Sequence, residues 1–283
     1  MGLETPASLV RLQRDLPEGL VASAAWLANK GYSHQLLKKY RDHGWLESPV
    51  RGVYRRPGPR LKWQHVVGSL QNVLELPVHV AGRTALEMQG LAHYLRLGPG
   101  QVVHLRSPAP LPTWIDHLGI AERFVVRPDR LFSRPGRFLT STNARVKGER
   151  TEYTPTDPLR VGLTQTAWGP WDWPITHSTV ERAFLELLED VPKRESVEDA
   201  DAMMQGLTTL SPRRLMELLT DCRSVKVKRL FFALADRHQH AWFKHLDASK
   251  IDFGSGKRAL VAGGRMHPKY CITLPRTLDA DTE

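Results

Sequence analysis

Apolar positions recur at helical spacing along much of the chain. Leu9, Leu12 and Leu16 lie three and four apart and predict a helix over residues 3–16, ended by Pro17-Glu18-Gly19. An alanine-rich run predicts a second helix over 21–30, anchored by Trp26 and Leu27. A third, short helix follows the turn Gly31-Tyr32-Ser33. Ser33 suits its N-cap, because a serine hydroxyl accepts a bond from an orphan amide of the first turn. Leu37 and Tyr40 share its inner face, His34, Gln35, Lys38, Lys39 and Arg41 are left outward, and Gly44 stops it. The period then changes. Trp45-Leu46 opens an extended segment, residues 49–52 are turn-like, and Val53-Tyr54 returns as the second arm of a hairpin.

Beyond the break Arg56-Pro57-Gly58-Pro59-Arg60, residues 63–76 and 84–95 read as helices. Val66, Val67, Leu70, Val73 and Leu74 form the apolar face of the first. Leu97-Gly98-Pro99-Gly100 admits no element through it and predicts a boundary between domains 1–96 and 97–283. The second part opens with β-type runs at 102–105 and 124–126, separated by a turn-rich loop at 108–112 and by residues 114–118. Residues 132–156 read as strand and loop. Trp168-Gly169-Pro170-Trp171-Asp172-Trp173-Pro174 reads as a loop. Its indoles either fold over the second domain's core or anchor a protein partner. Helices are expected over 179–189, 196–207, 213–220 (with Pro212 just inside the start) and 225–238. A hairpin from 260–264 and 270–274 closes the chain.

A length of 283 residues suggests about two domains. Hydrophobic content of 41% with 25% charged residues is globular rather than disordered. The net charge of +10 changes the picture, because it favours a polyanionic partner, nucleic acid first and an anionic membrane second. No apolar run approaches the ~20 residues of a membrane span, and no signal peptide is expected. Cys222 and Cys271 stand far apart without flanking ligands, so no disulfide framework or zinc site is indicated, which fits a cytoplasmic protein.

The short basic helix and hairpin together match a winged helix-turn-helix. A recognition helix enters the major groove by its N-terminal residues. Ser33, His34 and Gln35 are placed there, and glutamine can bond adenine in a bidentate way. Lys38, Lys39 and Arg41 reach phosphates, and Arg51, Arg55 and Arg56 arm the wing. Candidate chemistry elsewhere thins out on inspection. Gly254-Ser255-Gly256-Lys257 departs from a phosphate loop, with one residue between the glycines and Arg258 after the lysine, so an ordinary turn is expected. No His-x-x-x-His, Gly-x-Ser-x-Gly or Glu-x-Lys pattern occurs. No catalytic residue, cofactor or metal is assigned.

The run Leu20-Val21-Ala22-Ser23, Gly31-Tyr32-Ser33, Leu37, Gly44-Trp45-Leu46 and Gly52-Val53-Tyr54-Arg55 resembles the winged-helix signature of the AbiEi-type antitoxins. Ala81-Gly82-Arg83-Thr84-Ala85-Leu86 ahead of Gly90-Leu91-Ala92 is similar to it too. In the second half, Ser178-Thr179-Val180-Glu181-Arg182-Ala183 before Leu187-Leu188 resembles that family's antitoxin domain. So does Ile251-Asp252-Phe253-Gly254-Ser255-Gly256-Lys257-Arg258, with Gly263-Gly264 and Tyr270. The resemblance implies an α+β chain, an N-terminal winged helix-turn-helix domain followed by a mixed α/β antitoxin domain. It implies autorepression through inverted repeats in the protein's own promoter. It also implies action against a nucleotidyltransferase-like toxin, in a family often described as neutralising without direct binding. His34-Gln35 departs from the small-or-arginine pair usual at this helix start, so no operator sequence carries over. The rival expectation is a winged-helix regulator whose second domain senses a ligand.

Overall fold

The computed structural model describes residues 6–91, 102–133, 162–170 and 172–279. The first helix, α1 (Pro6–Asp15), buries Leu12, with Leu16 buried just beyond its end. Residues 21–23, expected to be helical, form strand β1 (Val21–Ser23). Val21 and Ala22 stand opposite Arg55 and Tyr54, so a long-range ladder overrides the local alanine preference. Ser23 then caps α2 (Ala24–Asn29), its Oγ accepting from the Trp26 amide at 3.2 Å. After α3 (His34–Asp42) come β2 (Glu47–Val50) and β3 (Val53–Arg55), and the small sheet has the order β1-β3-β2. Helix-turn-helix and wing are thus both present.

Helix α4 (Trp63–Gly68) widens into a π turn over Ser69–Val73, where the Leu74 amide bonds the Ser69 carbonyl at 2.9 Å. Ser69 Oγ takes the Val21 amide at 2.8 Å and so fixes α4 to β1. Next come β4 (His79–Val80), α5 (Gly82–Met88), β5 (Val102–Ser107), a 3₁₀ turn at Thr113–His117 and β6 (Arg123–Pro128). Helix α5 starts before the expected residue 84 and ends before 95. Gly90, at φ +86°, and Leu91 turn their amides onto the Glu87 and Leu86 carbonyls. Residues 92–95, the expected boundary at 97–100 and nearly all of 132–156 lie outside the described residues.

The tryptophan-rich segment is not an irregular loop. Strands β7 (Leu163–Trp168) and β8 (Trp173–Ser178) form a hairpin with Trp168 opposite Trp173. Gly169 and Asp172, both at positive φ, make its turn. Proline is tolerated in β8 because the neighbouring two-residue strand β4 does not reach it. Asn72 Nδ2 bonds the Pro174 carbonyl there instead, at 3.0 Å. The five-stranded sheet has the order β6-β5-β4-β8-β7, parallel between β5 and β6 and between β4 and β8. Helices α6 (Val180–Asp190), α7 (Val197–Gly206), α8 (Pro212–Asp221) and α9 (Val225–His238) follow close to expectation, with α6 packed on α5, α8 and α9. The closing pair β9 (Arg265–Met266) and β10 (Thr273–Leu274) is antiparallel, its first arm later in the chain than 260–264.

Packing does not part at residue 97. One core runs from Val21, Val53 and Leu61 through α4 and the large sheet to α9. The other gathers Leu12, Leu16, Leu27, Leu37, Tyr40 and Leu46 under the helix-turn-helix, and Trp173 from β8 completes it.

Candidate nucleic-acid interface

Local rules set α3 firmly. At its start, the Ser33 hydroxyl accepts the Leu36 amide at 3.2 Å. At its end, the Trp45 amide reaches back to the Tyr40 carbonyl at 2.8 Å and the Gly44 amide to Arg41 at 3.0 Å. Gly44 holds φ +73°, and the Tyr40 and Trp45 rings pack 5.5 Å apart across the turn. That is a Schellman ending with its apolar contact. Helix α2 ends in the same way: Tyr32 and Gly31 amides bond Leu27 and Ala28 carbonyls, with Gly31 at φ +90°. Two repeated endings thus fix the turn between the helices. Helix α1 clamps that turn, since Asp15 accepts from the Tyr32 hydroxyl at 2.9 Å while the Arg11 guanidinium lies over the Tyr32 ring. Burial, then the bond to Asp15, raises the Tyr32 phenol well above its usual range.

With Leu37 and Tyr40 buried, α3 turns His34, Gln35, Lys38 and Arg41 to the surface, as expected from its period. Lys39 is half-buried on its flank and Ser33 is taken up by its cap bond. At the wing, Arg51 sits exposed at the hairpin tip next to Gly52. Arg56 is half-buried. Arg55 differs from expectation. Its guanidinium turns back onto Glu47 Oε2 (2.8 Å) and the Pro59 (2.7 Å) and Gly58 (3.2 Å) carbonyls, so it braces the wing from behind.

A second polar cluster, missed from the sequence, lies under the sheet. His79, Asp129 and Glu186 bring potential metal-ligating atoms within 4.8 Å of one another. Protein donors fill the space between them. Arg182 bridges Glu186 Oε1 and Asp129 Oδ1, each at 2.8 Å. The Ser178 hydroxyl (2.7 Å) and the Gly82 amide (3.1 Å) take Glu186 Oε2, and His79 Nε2 takes Oε1 at 3.2 Å. Burial alone would push the Glu186 carboxyl up. Arg182, His79 and Arg106 instead hold it far below the usual carboxylate range. Burial keeps His79 below the ordinary histidine range. Arg182 supplies both carboxylates with a cation, and the hydrogen bonds of His79, Ser178 and Gly82 to Glu186 make this a buried network that ties β4, β8 and α6 together. The sequence hid it: Arg182 and Glu186 are four apart and fall with Glu189 and Asp190 on the polar side of α6, which by period alone would face solvent.

Comparison with known proteins bears on both halves. A family model described as the N-terminal domain of the AbiEi antitoxin transcriptional regulators matches residues 6–97. A second, described as transcriptional regulator, AbiEi antitoxin, type IV TA system, matches residues 101–275. No curated protein matches. Among solved structures, the crystal structure of the RV2827C protein from Mycobacterium tuberculosis is similar, at 15% identity over 96% of this chain and 92% of that one, with a TM-score of 0.49. Together, the two family models place the chain in the AbiEi antitoxin family of transcriptional regulators of type IV toxin–antitoxin systems.

Proposed function

We propose that this protein is a DNA-binding autorepressor and the antitoxin of its own operon, opposing a nucleotidyltransferase-like toxin. The observation that supports the first role is α3 itself. It is capped at both ends, clamped by α1, and offers His34, Gln35, Lys38 and Arg41 beside an arginine-tipped wing. Gln35 and His34 read base edges at the helix start. Lys38, Lys39, Arg41, Arg51 and Arg56 contact phosphates, which supplies affinity and makes binding salt-dependent. Labour divides along the chain, with residues 1–96 addressing DNA and residues 97–283 acting on the toxin. The two parts share one sheet, since β4 pairs with β5 and β8 while α5 packs on α6.

Gel retardation with the DNA upstream of the gene tests the first role. Salt-sensitive retention is expected, and its absence would overturn it. Co-expression with the neighbouring gene's product tests the second, with rescue of growth expected. The full chain carrying Lys38→Ala and Arg41→Ala should lose DNA retention while still rescuing growth. Loss of both functions in a folded variant would argue that antitoxicity works through DNA.

A further inference from the structure

The turn Gly254-Ser255-Gly256-Lys257 is built from below by a buried arginine. Arg229, on α9 and 3% exposed, gives its Nε to the Phe253 carbonyl (2.8 Å) and its Nη2 to Gly254 (3.1 Å). Its Nη1 serves both Gly256 (2.6 Å) and Cys271 (3.1 Å). In a trans peptide, the carbonyl of one residue and the amide of the next point in opposite directions. Pulling the carbonyls of 253, 254 and 256 inward therefore turns the amides of Gly254, Ser255 and Lys257 outward.

The backbone follows suit. Gly254 (φ +60°) and Gly256 (φ +73°) take positive φ while Ser255 and Lys257 do not, the alternation that makes successive amides converge on an anion. A β-carbon on Gly254 would also press on Val225 at 3.0 Å. One outward amide already holds an oxyanion, since Asp252 Oδ1 accepts from Gly254 at 2.8 Å. Those of Ser255 and Lys257 donate to no acceptor among the described residues.

Charge points the same way. Arg229 spends its donors on neutral carbonyls, and no carboxylate among the described residues pairs with it, so a buried positive charge sits directly beneath the amides. Lys257 and Arg258 are exposed on the loop. Lys269 is exposed next to Tyr270, whose ring packs 5.5 Å from Phe253 at the loop's base. We propose that the 252–258 loop of the C-terminal half is a phosphoryl-binding site, separate from α3, that takes the phosphate of a nucleotide or of a nucleic-acid backbone.

The test uses the full-length chain carrying Lys38→Ala and Arg41→Ala, which silences α3, followed by amide NMR. Pyrophosphate, adenosine triphosphate and a short single-stranded oligodeoxynucleotide are titrated separately. Saturable shifts of the Ser255 and Lys257 amides are expected with at least one of them. Saturation by the oligonucleotide at lower concentration than by the small phosphates assigns a nucleic-acid backbone, and the reverse order assigns a free nucleotide. Adding Lys257→Ala and Arg258→Ala should weaken binding, and for the oligonucleotide should lower the salt slope by about 1.4. Asp252→Asn removes the competing carboxylate and should tighten binding, a change that misfolding cannot mimic. No saturable shift at these amides with any probe, or equal affinity in all variants, would overturn the proposal.

Discussion

Single side chains divide into those aimed at solvent and those aimed at their own backbone, and only the structure separates them. Lys38 and Arg55 are both basic residues on a basic subdomain, yet one is exposed on α3 and the other is tied to three acceptors behind the wing. Lys38→Ala should weaken binding to all DNA sequences alike and lower the salt slope by about one, as read by anisotropy at several salt concentrations. Gln35→Ala should mainly relax base preference, by roughly 1–3 kcal/mol at one operator position. Equal losses on specific and random DNA for both would remove α3 from the major groove.

Buried titratable groups give a second residue-level prediction. His79, His104 and His177 are pushed below the ordinary histidine range, burial being the largest cause for each. Unfolding raises their proton affinity, so the stability they contribute is present above about pH 6.5 and drains away below it. Glu186 lies below the carboxylate range in the folded chain, so its contribution is full above about pH 4.3 and falls in more acid solution. Urea midpoints should therefore decline in two stages as pH drops. Glu186→Gln should cost about 3 kcal/mol at neutral pH and abolish the lower stage. A lower stage that persists in the variant would assign it to other carboxylates.

At the scale of elements, helix ends were far more legible than short strands. Gly31 and Gly44 each sit at the residue after a cap, with φ +90° and +73°, and Ser33 and Gly44 announced α3 from sequence alone; Gly90, at +86°, ends α5 where a helix was expected to run on to residue 95. Nothing crowds a β-carbon at Gly44, so Gly44→Ala should cost only the left-handed backbone, roughly 1 kcal/mol in chemical denaturation. A loss several times larger would mean that a neighbour not seen in the structure meets the added methyl. Strands β1 and β4 were not legible. They have three and two residues, too few to show a period, and partners lie at 53–55, 105–106 and 177. Strand β8 was hidden by Pro174, whose missing amide is harmless because the neighbouring strand β4 does not reach it. The candidate interface was readable because its signals are local. The Arg229 cradle was not, since its meaning depends on which way distant carbonyls point.

For the whole molecule, the two cores interlock rather than abut. Val21 and Val53 of the wing sheet join the large core, while Trp173 of the large sheet, 7% exposed, closes the small one. Trp173→Ala should cost about 3–5 kcal/mol and weaken DNA binding although it lies on neither α3 nor the wing. Unfolding should stay a single transition by fluorescence and circular dichroism; a separate early transition of the winged helix would show that Trp173 does not couple the two. The same residue sets an order on synthesis. A ribosome releases the winged-helix segment first, but its core stays unsealed until residue 173 has emerged, just ahead of His177, the parallel partner of β4. An interrupted nascent chain therefore carries α3 without the plug that steadies it, and the small core closes only once most of the large sheet has been made.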